Sequence, residues 1–387
     1  MTGPALRPTG ASLALALVVA SFWAGPACGQ EHRAIWRSPT FQAAVVVDAE
    51  TGSVLYERNA REPRAPASLV KMMVQLLAIE ALRVGEIGLE DEVVVPREAC
   101  RVGGSKIYLW AGEKMSVRDL LYAVVVPSAN DAATALAIHI AGSTESFVER
   151  MNRRAKELGM HQTTYVNVHG LDTSARPPTR TTAFDQAILA RALVRDPAAL
   201  ALSSTRTTTI RSGQTIRSTN RLLGRFPGLD GLKTGFTSAA GFCLAATAER
   251  RGIRLISVVL GSSSSEKRFN ETKNLLYEAF LQWQRIPIVA EGEDLGETVR
   301  VIGGHGDRMR LLAERDLEIL IPTRRRDDLR VTVTAPASVR APIGEGDEIG
   351  SVRVLLGDSL IAECAAVAAR SVPRAESEEP SDPDPTP

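Results

Sequence analysis

The pattern of apolar and polar positions changes character three times along the chain. Residues 11–25 are uncharged, with Leu13, Leu15, Leu17, Val18 and Val19 at their centre, Arg7 ahead of them and small residues around Ala27-Cys28-Gly29 behind. This is the layout of a secretory signal peptide over residues 1–29, short for a membrane span, and it predicts an exported chain beginning near Gln30. Phe41 to Asp48 is then β-rich, and Ala49-Glu50-Thr51-Gly52 turns it back into Ser53–Glu57 as a hairpin. Pro66 precedes an apolar run from Leu69 with no Gly or Pro before Gly85, which predicts a helix whose first turn carries Ser68 and Lys71. Val93–Val95 and Ile107–Trp110 read as short strand-like pieces in a loop-rich stretch. Further helices are predicted over Val117–Val126, stopped by Pro127, over Ala132–Ala141, over Phe147–Leu158, ended by Gly159, and over Ala183–Arg195.

From Thr207 the period shifts towards two. Thr207–Ile210 and Thr215–Ser218 suggest a hairpin around Gly213, Gly231–Phe236 a strand, and Phe242–Ala248 with Ile253–Leu260 an antiparallel pair. A helix from about Ser263 to Trp283 closes a first domain, residues 30–285. Beyond Pro287, short alternating strands at Val299–Ile302, Leu317–Ile321, Leu329–Val333 and Val352–Leu356 predict a second, all-β domain over 286–374. Residues 375–387 are acidic and proline-rich without an apolar face, which predicts a disordered tail.

Composition narrows the class without changing this outline. The chain has 387 residues, 44% hydrophobic and 24% charged, as an ordinary globular protein with sizeable cores has. A net charge of +1 gives no reason to expect nucleic acid as a partner. The mature chain keeps Cys100, Cys243 and Cys364, an odd number that implies no complete disulfide framework. There is no Cys-x-x-Cys and the five histidines show no ligand spacing, so neither a metal site nor a cofactor is expected.

The candidate chemistry starts at Ser68-Leu69-Val70-Lys71. Residues three apart on a helix share a face, so the hydroxyl and the amine can meet. A serine attacks only when a base takes its proton, and a lysine serves only when neutral. Holding a lysine neutral at pH 7 costs roughly 4 kcal/mol unless burial or a nearby cation lowers its pKa. The spacing alone is weak, because Ser264-Ser265-Glu266-Lys267 repeats it. That second copy reads as a helix cap, with Ser263 and Glu266 forming a capping box ahead of an amphipathic run.

Two more short motifs follow in order: Ser128-Ala129-Asn130 between two predicted helices, and Lys233-Thr234-Gly235 on a predicted strand. Taken singly, Ser128 reads equally as a cap and Lys233 as a solvated strand residue. The ordered trio is the signature of penicillin-binding proteins and class A β-lactamases, so the match is one of recognition. Together with Ala67–Met73, Ser128–Ala133, His169-Gly170-Leu171 and Asp230–Thr237, the chain from about Phe41 to Arg374 resembles the serine D-alanyl-D-alanine carboxypeptidases, the low-molecular-mass penicillin-binding proteins. The middle motif has Ala129 where the signature has Asp, between the two residues that carry the chemistry.

That resemblance implies an α/β fold: a penicillin-binding-protein/β-lactamase-like domain, in which an antiparallel sheet is flanked by helices beside an all-helical lobe, then a small all-β C-terminal domain. It implies Ser68 as nucleophile, Lys71 as its base, Ser128 as proton relay to the leaving amine, and Asn130 as holder of both the substrate amide and Lys71. Lys233 and Thr234 match the terminal carboxylate of a peptidoglycan stem peptide ending in D-Ala-D-Ala. Gly235 is read as letting the substrate strand lie close, and the N–H groups of Ser68 and Phe236 as the oxyanion hole. β-Lactams are expected as covalent inhibitors. His169 reads as a turn residue rather than a catalytic one. Family members commonly end in a membrane-binding amphipathic helix; the tail has none, and membrane association stays open. A β-lactamase needs a carboxylate to activate the deacylating water, and no Glu occurs between Gly159 and Asp230. A D,D-endopeptidase could use the same residues, whereas a non-catalytic peptidoglycan-binding module would tolerate loss of Ser68 or Lys71, and neither is lost.

Overall fold

The computed structural model describes residues 39–375 apart from 173–177, 212 and 307, so the expected signal segment and tail lie outside the described residues. The first hairpin forms as expected, β1 (Ala43–Asp48) pairing antiparallel with β2 (Val54–Arg58). A 3-10 turn, Ala67–Val70, then runs into α1 (Lys71–Arg83). After it come β3 (Glu92–Val94), α2 (Arg97–Arg101), β4 (Lys114–Ser116), α3 (Val117–Val125), α4 (Asn130–Ala141), α5 (Thr144–Glu157), α6 (Ala183–Val194) and α7 (Pro197–Ser204). The hairpin β5 (Thr207–Ile210) and β6 (Gln214–Arg217) leads to β7 (Leu229–Thr237), β8 (Gly241–Arg250), β9 (Ile253–Ser262) and α8 (Ser265–Gln282).

These strands make a five-stranded antiparallel sheet in the order β2-β1-β9-β8-β7, which leaves β7 as an edge. β8 and β9 carry near-continuous buried residues instead of an alternation, because α8 packs against both and α6 also covers β9. α1 stands between the sheet half and a helical lobe: it touches β7, α6 and α7 on one side and α3, α4 and α5 on the other. Its residues from Met72 to Val74 are fully buried, as a helix surrounded on all sides must be. Fold class therefore agrees with expectation.

Two local expectations are corrected, and two short helices, α2 and α7, were not expected. Ile107–Trp110 is not a strand; the N–H groups of Ile107 and Leu109 go instead to the buried carboxylate of Asp131 on α4, at 3.2 and 3.1 Å. Ser263 does not cap α8, since the cap is Ser264, whose hydroxyl accepts from the Lys267 N–H at 3.1 Å. α2 and α7 are too short to show a period, although Asp196 before Pro197 is a cap signal, and the Asp196 carboxylate does accept from Ala198 N.

Without an intervening loop, α8 passes into β10 (Trp283–Val289), followed by β11 (Asp294–Ile302), β12 (Arg308–Ala313), β13 (Leu317–Pro322), β14 (Leu329–Thr334), β15 (Ser338–Arg340), β16 (Glu348–Leu356) and β17 (Ser359–Ala368). Six of these form a sheet in the order β14-β16-β17-β12-β11-β15, and β10 pairs with β13. This region has its own small cores, one centred on Leu317, Ile319, Ile321, Val352 and Val354. Arg285 on β10 reaches back to Asp48 and Glu50 at the end of β1, which ties the β-rich region to the first sheet.

Candidate active site

The three motifs, scattered over more than 160 positions, meet where the start of α1, the start of α4 and the edge strand β7 converge. Ala67 has φ +49°, a left-handed backbone that is unusual for a residue with a Cβ. It swings the chain into the 3-10 turn that presents the half-buried Ser68. Ser68 caps nothing, since the turn has no side-chain cap. Lys71 Nζ lies 2.9 Å from Ser68 Oγ and donates also to the backbone carbonyl of His169 at 3.1 Å. The lysine is 1% exposed. Burial, then repulsion from the Lys233 cation, hold its pKa well below the usual lysine range, against an opposing pull from Asp131.

His169 sits in a turn closed by Asn167, whose Oδ1 accepts from the N–H groups of His169 and Gly170 at 3.2 and 2.6 Å. Its own Nδ1 accepts from Leu171 N at 3.1 Å. Gly170 is required there: φ is +80°, and a Cβ would stand 1.9 Å from the Ala67 carbonyl oxygen. So the His169-Gly170-Leu171 turn packs on the backbone just before Ser68 and hands a carbonyl to Lys71. Burial and the neighbouring Lys71 lower the His169 pKa to about 4, which leaves the ring neutral at physiological pH.

Ser128 also has a left-handed backbone, φ +69°. Its hydroxyl is buried without a protein partner, and the cap position of α4 belongs to Ala129. The equal alternative, that Ser128 is merely a cap, is thereby excluded. Asn130 donates its Nδ2 to Gly103 O at 2.7 Å, while its Oδ1 has no protein partner. The expectation that Asn130 fixes Lys71 is corrected: the fixing acceptors are Ser68 Oγ and His169 O.

On β7, Lys233 is buried rather than solvated, at 2% exposure, and its Nζ donates to Thr234 O at 3.3 Å. Burial, then the nearby Arg268 guanidinium, lower its pKa to about 7. Thr234 Oγ1 shares a 2.6 Å hydrogen bond with Thr219 Oγ1. Gly235 has a further role besides the one expected of it. A Cβ there would meet Ala67 Cβ, Leu69 Cδ1 and Ser68 N, each at 3.0 Å, so the missing side chain makes room for the Ser68 turn. Phe236 is exposed and stacks on Phe242, with ring centroids 4.2 Å apart.

Arg268, on α8, is the residue that sequence reasoning passed over. It is buried between Phe242 and Phe269 and donates to Gly235 O at 2.9 Å and Cys243 O at 3.2 Å. The only local signal was an arginine one residue beyond the decoy Ser-x-x-Lys. The arrangement as a whole offers a hydroxyl with a neutral-leaning amine against it, a second free hydroxyl, and a buried cation at the edge of a strand. Those parts suit acyl transfer from a substrate that carries an anion.

Comparison with known proteins bears this out at the level of family. The peptidase S11 family, D-alanyl-D-alanine carboxypeptidase, matches residues 33–264, and the penicillin-binding protein 5 C-terminal domain matches residues 283–374. The chain is 37% identical over 324 residues to the D-alanyl-D-alanine carboxypeptidase DacC of Escherichia coli, covering 80% of this chain and 79% of that one. Among solved structures, penicillin-binding protein 5 from Haemophilus influenzae superposes with a TM-score of 0.73 at 31% identity, over 87% of this chain and 98% of that chain. Penicillin-binding protein D2 from Listeria monocytogenes in its ampicillin-bound form gives 0.58 at 38% identity, over 63% and 98%. This chain belongs to the serine-type D-alanyl-D-alanine carboxypeptidases, the low-molecular-mass penicillin-binding proteins with a penicillin-binding protein 5 type C-terminal domain.

Proposed function

We propose that this carboxypeptidase removes the terminal D-alanine from peptidoglycan stem pentapeptides through an acyl-enzyme on Ser68, and so trims cell-wall cross-linking. One observation carries the assignment of roles: a buried lysine with a depressed pKa, 2.9 Å from a serine hydroxyl that has no capping duty. Neutral Lys71 accepts the Ser68 proton as Oγ attacks the D-Ala-D-Ala carbonyl. The N–H groups of Ser68 and Phe236 receive the oxyanion. The Ser128 hydroxyl relays a proton to the leaving D-alanine amine, and water then hydrolyses the ester.

Lys233 and the Thr234 hydroxyl bind the free carboxylate of the terminal residue, and Asn130, with its unpartnered Oδ1, receives the substrate amide N–H. Arg268 supports this site through the Gly235 carbonyl. Residues 30–285 carry the chemistry and residues 286–374 form the β-rich C-terminal domain. A β-lactam presents the same kind of carbonyl beside a carboxylate, so it acylates the same serine. The signal-like segment at residues 11–25 supports export to the periplasm or the cell-wall side of the cytoplasmic membrane. Purified protein incubated with a pentapeptide stem should release free D-alanine. A protein that cuts only cross-linked dimers, releasing none from the pentapeptide, would be an endopeptidase instead.

A further inference from the structure

One face of the six-stranded sheet gathers positive charge at the β15 end. Val299, Val301, Met309 and Leu311 on β11 and β12 are buried, so the alternate side chains Arg300, Ile302, Arg308 and Arg310 stand on the solvent face. Arg300 lies directly opposite Arg308 across the β11–β12 ladder, and β15 sets Arg340 opposite Ile302 on that same face. Arg370, just past β17, borders it: a Cβ on Gly306 would stand 2.9 Å from Arg370 Nη2. Like charges directly opposite one another destabilise a ladder. Arg310 has a carboxylate, that of Asp294 at 3.1 Å, and Arg308 reaches only the Thr298 hydroxyl at 3.2 Å. Among the described residues, Arg300, Arg308, Arg340 and Arg370 form no ion pair.

The chain passes residue 375 beside this face. Arg374 bridges to Gly304, and Ala375 N donates to Gly303 O at 2.9 Å, one residue beyond the end of β11. The segment 376–387 starts there and brings Glu376, Glu378, Glu379, Asp382 and Asp384, with no lysine or arginine among them. Apart from its prolines it has no apolar side chain, so charge is what can hold it against a surface. From Glu376 to Glu379 an extended chain covers about 10 Å, which is about the distance from β15 across β11 to β12.

We propose that the acidic segment 376–387 lies back on the arginine face of β11, β12 and β15 as an intramolecular cover. A single exposed ion pair holds weakly and is screened by salt. Here the tether begins at the edge of the face, so the high local concentration of the segment makes up for the weakness of each pair. The carboxylates relieve the repulsion between Arg300 and Arg308, and while they are in place other polyanions are kept off the same arginines.

The test uses the whole chain and a variant with a neutral tail, carrying Glu376→Gln, Glu378→Gln, Glu379→Gln, Asp382→Asn and Asp384→Asn. A fluorescent synthetic peptide of residues 376–387 should bind the neutral-tail variant at low ionic strength, and bind the unmutated chain at least about 10-fold more weakly, because its own segment competes. Raising the salt to about 0.5 M should abolish binding to both. Adding Arg300→Gln, Arg308→Gln and Arg340→Gln to the neutral-tail variant should also abolish it, with thermal melts showing that the fold is kept. Equal binding to the unmutated and neutral-tail chains, binding to neither, or binding that survives the three glutamines overturns the proposal. Vesicles of phosphatidylcholine with about one third phosphatidylglycerol provide the other arm. A neutral-tail variant that binds them through the three arginines and ignores the peptide would assign the face to a phosphate-bearing surface instead.

Discussion

Two Ser-x-x-Lys tetrads occupy helix starts in this chain, Ser68–Lys71 and Ser264–Lys267, and they have opposite fates. At α8 the Ser264 hydroxyl is consumed by the Lys267 N–H at 3.1 Å, and the Lys267 side chain is exposed. At α1 the turn begins at Pro66 with no side-chain cap, so the Ser68 hydroxyl is left for the lysine amine. Lys71 is enclosed by the helical lobe on one side and the sheet on the other, beside the Lys233 cation. Equal spacing thus gives a cap in one place and a serine hydroxyl set against a buried amine in the other. What separates them is desolvation, which only the packing of distant segments supplies.

The largest expected break in the comparison is at the base. Ser68→Ala should abolish the covalent penicillin adduct, and Lys71→Arg, which keeps the charge but cannot become neutral, should slow acylation by about 10²- to 10⁴-fold. Intact-mass measurement after β-lactam treatment reads both, and near-normal labelling of the arginine variant would place the base elsewhere.

Next comes the anion site. A charge-assisted hydrogen bond contributes about 1.5–3 kcal/mol, so amidating the substrate carboxylate should lower kcat/KM by roughly 10- to 200-fold. Lys233→Ala should erase most of that difference. Equal cleavage of free-acid and amidated peptides by the unmutated enzyme would defeat the role given to Lys233 and Thr234.

The pH profile sharpens the comparison further. Lys71 must be neutral, so activity is lost as pH falls through its depressed pKa. Lys233 must be charged, and its pKa of about 7 means kcat/KM on the free-acid peptide falls as pH rises past that value. The amidated peptide should lack this alkaline limb. Arg268→Gln removes a repelling cation and should move the limb upward, which a purely structural loss of activity would not do. The smallest effect belongs to the decoy. Ser264→Ala should cost about 1 kcal/mol of stability through the lost cap and leave acylation unchanged, as thermal melts and adduct formation on the same sample would show.

Much of this was legible in the chain itself. The β1–β2 hairpin, α1, α3 to α6 and the β7–β8–β9 meander follow from local periodicity, from Pro127 as a stop and from Gly52, Gly159 and Gly252 at turns. Local signals fail where long-range partners take over. Ile107–Trp110 has the apolar look of a strand, yet the N–H groups of Ile107 and Leu109 are spent on Asp131, more than 20 positions away. β17 gives little local signal because its run of small residues acquires an inner face only within the six-stranded sheet, whereas β12 does carry one, Met309 and Leu311 alternating with Arg308 and Arg310.

The sequence by itself determined the identity and order of the candidate groups, because Ser68, Lys71, Ser128, Asn130, Lys233 and Thr234 are recognisable by type, spacing and position at element ends. Tertiary structure decided their states. It brought the His169 carbonyl across 98 positions to Lys71, gave Gly235 the task of admitting the Ser68 turn, and set Arg268 beneath the edge strand. Spacing along a helix is a local property of the backbone. Proton affinity instead depends on how much water is excluded and which charges lie nearby, and both are fixed only when distant segments pack.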